Sequence, residues 1–150
     1  MNDERLDAFW RSFVEATGID GPHTAWGFGY DDDPEARTEL GLLVRDGPKR
    51  ATASLVSDYE AEGEEMPRPG DLSVILDGAG EPLCVIRTTD VEIRPFGKVD
   101  ERYAWVEGEG DRSLRYWRDA HIRFFTAAGN VVDEATPVVL ETFELVWPVA

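Results

Sequence analysis

At 150 residues, with five Trp, seven Phe and four Tyr, the chain is long enough for one domain, spanning 1–150, that builds its own core without disulfides or structural metal. Its 31 acidic and 15 basic side chains give a formal charge of −16, a field that repels phosphates and excludes indiscriminate coating of DNA or RNA, although a local basic cleft survives where distant charges are screened over about 8 Å. No apolar run reaches the ~18 residues of a membrane span and the N-terminal stretch is polar, so the sequence predicts a cytoplasmic protein without membrane contact.

Asn2 or Asp3 caps a first predicted helix in which Leu6, Phe9, Trp10, Phe13 and Val14 recur at the spacing of one buried face, and Gly18 ends it. Residues 20–33 read as a loop folded over the domain, rich in glycine and aromatic residues. Gly27-x-Gly29 lacks both a preceding strand and a third glycine, so it is a weak phosphate loop. Trp26 and Phe28 either plug the core or stack on a planar ligand, and His23 has no neighbouring partner for metal or triad chemistry. Asp33 caps, and Pro34 opens, a second helix with the apolar face Ala36, Leu40, Leu43 and Val44, closed by Gly47.

Gly47 and Pro48 form a turn that delivers Lys49, and Thr52 three residues later, into a strand predicted from Ala51 to Ser57. Residues three apart in a regular strand face opposite sides, so the two converge only if the backbone is still turning between them; the alternative is a solvated lysine and an ordinary β-forming threonine. Residues 58–70 are acidic and broken by prolines, the composition of an exposed connector. Leu72 to Leu76 and Leu83 to Arg87 read as antiparallel strands joined at Asp77-Gly78-Ala79-Gly80, with Val91, Ile93 and Pro95-Phe96 extending the second and Cys84 a small buried hydrophobe within it.

Glu107 and Glu109 flank Gly108 on a predicted loop, where flexible backbone can aim a carboxylate inward. Asp111 or Ser113 caps a third helix whose Leu114, Trp117, His121 and Phe124 share one side, which makes His121 a histidine at the core's edge. Val138 to Trp147 is largely apolar on both faces and therefore a central strand. The order of elements gives an α+β fold curled into a small barrel with helices at its ends. No group of His, Cys and acidic residues has metal-ligand spacing, so neither metal nor other cofactor is expected.

Four segments, taken in order, resemble the ASCH domain family. They are Gly47-Pro48-Lys49-Arg50-Ala51-Thr52-Ala53, Pro69-Gly70-Asp71, Val85-Ile86-Arg87-Thr88-Thr89-Asp90-Val91, and the stretch from Glu107-Gly108-Glu109-Gly110-Asp111-Arg112-Ser113 through Trp117 to His121. The resemblance implies a PUA-like mixed or antiparallel β-barrel flanked by helices, with N-terminal helices of about 3–46 before the first barrel strand. It also implies a cleft beside the lysine turn that takes single-stranded RNA or a small nucleoside-like substrate. One branch of the family hydrolyses the acetyl amide of N4-acetylcytidine with a Lys, a Thr three residues later and a Glu, and another has been assigned ribonuclease activity. Carried over, the catalytic residues are Lys49, Thr52 and Glu109, with Glu107 the alternative acid. The expected substrate contacts are Trp26, from the aromatic loop outside the deacetylating branch, with Arg50, Arg112, Ser113 and Trp117. Three readings follow: an amidohydrolase of an acylated cytidine, an RNA binder or ribonuclease needing a basic cleft of Lys49, Arg112, Arg115 and Trp26, and a noncatalytic small-molecule binding domain.

Overall fold

The computed structural model describes residues 3–29 and 33–148. Helix α1 (Asp3–Thr17) lays its predicted aromatic stripe on the sheet, Trp10 and Phe13 packing with Leu72, Val74 and Val85. The capping side chain expected from Asn2 lies outside the described residues. Beyond Gly18, whose φ of 74° ends the helix, Asp20 accepts a hydrogen bond from Trp10 Nε1 at 3.0 Å and pins the exit.

Five strands form one sheet in the order β1-β3-β4-β5-β2, where β1 is His23–Trp26, β2 Ala51–Leu55, β3 Leu72–Leu76, β4 Pro82–Pro95 and β5 Pro137–Trp147. β1 runs parallel to β3, and the other pairs are antiparallel. β5 lies between β4 and β2, which accounts for its two apolar faces. Helix α2 (Pro34–Arg45), capped by Asp33 on the Ala36 amide at 3.1 Å, contributes Val44 to a cluster with Phe28, Ile75, Cys84, Ile86 and Phe143. Burial pushes the Cys84 thiol up to about 12, so it behaves as a hydrophobe. Helices α4 (Glu101–Glu107) and α5 (Leu114–Ala127) close a third cluster, where Ala104, Trp117 and Phe125 meet Ala53, Leu55, Val138 and Leu140.

Four expectations are corrected. The sheet is open rather than a barrel: closure needs its edges to pair, but β1 has only four residues, all registered on β3, and a cavity lined by both edge strands lies beside them. Residues 23–26 of the expected loop form β1, whose side chains are exposed or half-buried and so leave no apolar alternation to read. β2 stops at Leu55 because Val56–Glu62 is helix α3, a short helix with no buried residue among the acids expected to form a connector. The stretch before Gly108 is α4, started by Asp100 accepting from the Tyr103 amide at 2.9 Å.

Candidate functional site

The Gly47-Pro48 turn is sewn into three elements at once. The Lys49 amide donates to Leu43 O of α2 at 3.2 Å, the Arg50 amide to Val106 O of α4 at 2.9 Å, and Arg50 O accepts from the Phe143 amide of β5 at 3.0 Å. This backbone holds the Lys49 side chain inward, where it is 1% exposed. Its ammonium donates to Ala51 O and to Glu109 Oε2, both at 2.8 Å, lies 3.7 Å from Glu107 Oε1, and sits 5.2 Å from the centroid of the Phe28 ring. A buried ammonium is tolerated only with such partners.

Glu107 and Glu109 reach the same ammonium because of the glycine between them. Gly108 terminates α4 in the left-handed region at φ 74°, and a Cβ there would stand 2.8 Å from both Cα and N of Lys49. Gly108→Ala is therefore expected to cost about 1–2 kcal/mol for the backbone conformation alone. Because the clash is with backbone, Glu109 is also displaced from Lys49. Chemical denaturation, together with the activity assay proposed below, checks both effects; full activity in a destabilised Gly108→Ala protein would show that Glu109 need not meet Lys49.

Glu107, 1% exposed, accepts from His121 Nε2 at 2.9 Å through Oε1 and from Trp117 Nε1 through Oε2. His121 Nδ1 faces Trp117 O at 2.7 Å, so both ring nitrogens face acceptors, an arrangement that favours the imidazolium. Burial works against that charge, but the charge and hydrogen bond of Glu107, with help from Glu109, raise the His121 pKa above its ordinary value. For Glu107 burial again opposes ionisation, and the charges of His121 and Lys49 overcome it, so its carboxyl lies well below the usual range. The Trp117 indole stacks on His121 at 4.2 Å and on Phe96 at 5.3 Å, fixing the pair against the core.

Thr52 stands opposite Glu141 in the β2–β5 register, so the two side chains share a face. Its carbonyl accepts from Tyr103 Oη at 2.6 Å, whereas its hydroxyl has no hydrogen bond among the described residues and lines the cavity. Glu141 is 5% exposed, and Thr88 Oγ1 donates to its Oε2 at 2.6 Å. Burial raises its carboxyl pKa, the Thr88 hydrogen bond opposes that, and Asp71 adds to the rise. The cavity joining these groups measures about 990 Å³ and runs from Trp26 and Phe28 to α5. Asp58, Glu64, Glu65 and Asp71 join Glu107, Glu109 and Glu141 on its wall, against Lys49 and Arg68.

Of the residues expected to contact substrate, Trp26 lines this cavity, edge-on to Phe28 at 4.9 Å, and so serves core and cavity together. Four others lie elsewhere. The Arg50 guanidinium donates to Val44 O at 3.0 Å, Gly47 O at 3.2 Å and Lys49 O at 2.6 Å, where it closes the end of α2. Arg112, at φ 65°, lies 3.6 Å over the Trp105 ring and donates to Trp105 O at 2.9 Å. Ser113 caps α5 by accepting from the Tyr116 amide at 3.1 Å. Trp117, 2% exposed, supports Glu107 from beneath. Glu141 and the Glu107–His121 pair were missed, although an acid inside a strand largely apolar on both faces is itself a signal of a buried polar group.

Glu107, Glu109 and His121 are the donor set a cation would meet, with ligand atoms within 4.8 Å of one another. The Lys49 ammonium already neutralises that set, and both Glu107 oxygens are engaged, so the residues do not fit a resident metal.

An α+β domain with a buried lysine at the entry of an edge strand, clamped by a Glu-Gly-Glu helix end, is the class these features define. The family model for the ASCH domain matches residues 24–147, and the chain belongs to the ASCH domain family. A crystal structure of a protein from Enterococcus faecalis is similar over 95% of this chain and 88% of its own, at 36% identity and a TM-score of 0.82. That of an ASCH domain from Lactobacillus crispatus is similar over 95% of this chain and 94% of its own, at 30% identity and a TM-score of 0.82. No curated protein matches the sequence.

Proposed function

We propose that this protein hydrolyses the acyl amide of a modified nucleoside, N4-acetylcytidine or a similarly acylated cytidine, at Thr52, Lys49 and Glu109. The observation that carries the reading is the 2.8 Å hydrogen bond from the buried Lys49 ammonium to Glu109, beside a cavity that Thr52 also lines with its hydroxyl unengaged among the described residues. Thr52 Oγ1 attacks the amide carbonyl, and its proton passes to the Lys49–Glu109 pair, which acts as one proton-holding unit. The oxyanion collapses, the C–N bond breaks, and the leaving cytosine amine takes the proton back. Water then cleaves the Thr52 ester, releasing the acyl group as its acid and restoring the hydroxyl. Glu107, engaged by His121 and Trp117, holds Lys49 in place.

RNA-directed chemistry is the weaker reading within a family of broadly RNA-binding and hydrolase-like proteins. Arg112 and Arg115 are absent from the cavity wall, where acids outnumber bases, and a polyanion meets an opposing field there. The test is loss of N4-acetylcytidine absorbance with the wild-type protein, alongside labelled single-stranded RNA incubated with EDTA. Nucleoside turnover with intact RNA is expected. RNA cleavage that Lys49→Ala removes, without nucleoside turnover, would transfer the site to ribonuclease chemistry.

A further inference from the structure

Resting on the nucleoside reading above, we propose that Glu141 is a substrate-binding group, a carboxyl fixed by Thr88 beside Thr52 that accepts a hydrogen bond from a donor of the bound nucleoside. The donor is either the amide N–H of the acylated base or a ribose hydroxyl.

Glu141 sits on the central strand among Val138, Val139, Leu140 and Phe143, where an apolar side chain would satisfy packing. Only one of its oxygens is used inside the chain: Oε2 accepts from Thr88. Oε1 has no hydrogen bond among the described residues, yet it is not one of the enclosed unsatisfied atoms, so it remains reachable from the cavity that Glu141 lines. No cation pairs with this carboxyl among the described residues, unlike Glu107 and Glu109, which share Lys49. A carboxyl that is 5% exposed, unpaired by charge and open on one oxygen is a preformed acceptor. Directly opposed residues on neighbouring antiparallel strands hold their Cβ atoms about 4.5–5.5 Å apart. An acyl carbon within reach of Thr52 therefore brings the adjoining amide N–H, or the sugar, within a side-chain length of Glu141. Lys49 and Glu109 then act on the acyl group, while Glu141 orients the remainder of the ligand.

The experiment compares wild type with Glu141→Leu and Glu141→Gln by turnover of N4-acetylcytidine and by calorimetric binding of cytidine and N4-acetylcytosine. Losing a hydrogen bond to this buried carboxyl should raise KM and the cytidine Kd by about 10-fold in Glu141→Leu, with kcat held within about threefold. If Glu141→Leu does not fold, Glu141→Gln, whose amide oxygen keeps the Thr88 hydrogen bond while its NH2 replaces the open oxygen and faces the ligand donor, should give a rise of at least about fivefold. Weakened binding of N4-acetylcytosine as well assigns the donor to the base, and weakening confined to the nucleosides assigns it to the ribose. Unchanged KM and Kd, or a fall in kcat alone, overturns the proposal while wild-type turnover leaves the amidohydrolase reading standing. A wild type that binds cytidine without hydrolysing N4-acetylcytidine, and loses that binding in Glu141→Leu, keeps the proposal and removes the amidohydrolase reading. A wild type that does neither overturns both.

Discussion

Lys49→Ala is expected to lower N4-acetylcytidine turnover by roughly 10³-fold or more, and Thr52→Ala to do the same. The two substitutions differ in what else they disturb. Lys49 neutralises Glu109 and shares Glu107 with His121, so its removal leaves the part-buried Glu109 without a cation and is expected to reduce stability by about 1–3 kcal/mol. Thr52 is half-buried, its hydroxyl has no hydrogen bond among the described residues, and its carbonyl bond to Tyr103 survives truncation of the side chain. Thr52→Ala should therefore melt within about 1 kcal/mol of wild type while losing activity. The comparison separates chemistry from folding, because only a reacting group fails in kcat without failing in stability. Denaturant melts and initial rates on the two variants decide it. Thr52→Ala with kcat within tenfold of wild type would remove Thr52 as the nucleophile and leave the lysine pair to activate water.

The lysine turn was legible because its signals are local. Gly-Pro breaks the helical period, and Lys and Thr follow at fixed spacing onto the wall of one cavity. Glu107 and Glu109 were legible as a pair around a glycine, but which of them meets Lys49 depends on the path of α4, a helix of seven residues too short for periodicity to declare. β1 left no trace for a related reason: four residues paired along one edge need no apolar alternation. Barrel closure failed for a physical cause that no single segment carries, since it depends on whether two edges distant in sequence find each other. The arginines misled for the opposite reason. Arg50 and Arg112 read as available charge, yet backbone carbonyls and an indole face claim both of them.

Glu107→Ala is expected to destabilise the protein by about 3–5 kcal/mol, the range for removing one partner from a buried charge pair. His121 would then be buried with a charge and no counter-ion, and the Trp117 indole N–H with no acceptor. Glu107→Gln should cost less, because an amide oxygen still receives the indole and its NH2 can donate to a neutral His121. The pH dependence distinguishes a charge pair from mere packing. The Glu107 carboxyl is depressed in the folded state, so its contribution is present above the ordinary carboxylate value of 4.5 and disappears as pH falls through the folded value. His121 is raised, so its contribution is complete below 6.5 and disappears as pH rises through the folded value. Wild-type stability should therefore gain most from this pair between about 4.5 and 6.5 and decline on the alkaline side. In Glu107→Gln that alkaline decline should flatten, since an imidazole without its carboxylate no longer holds the extra proton. Urea melts from about pH 4.5 to well above 6.5 on both proteins are the measurement. Parallel profiles would mean that His121 is neutral in the folded protein, and the Lys49 ammonium alone would then hold Glu107 ionised.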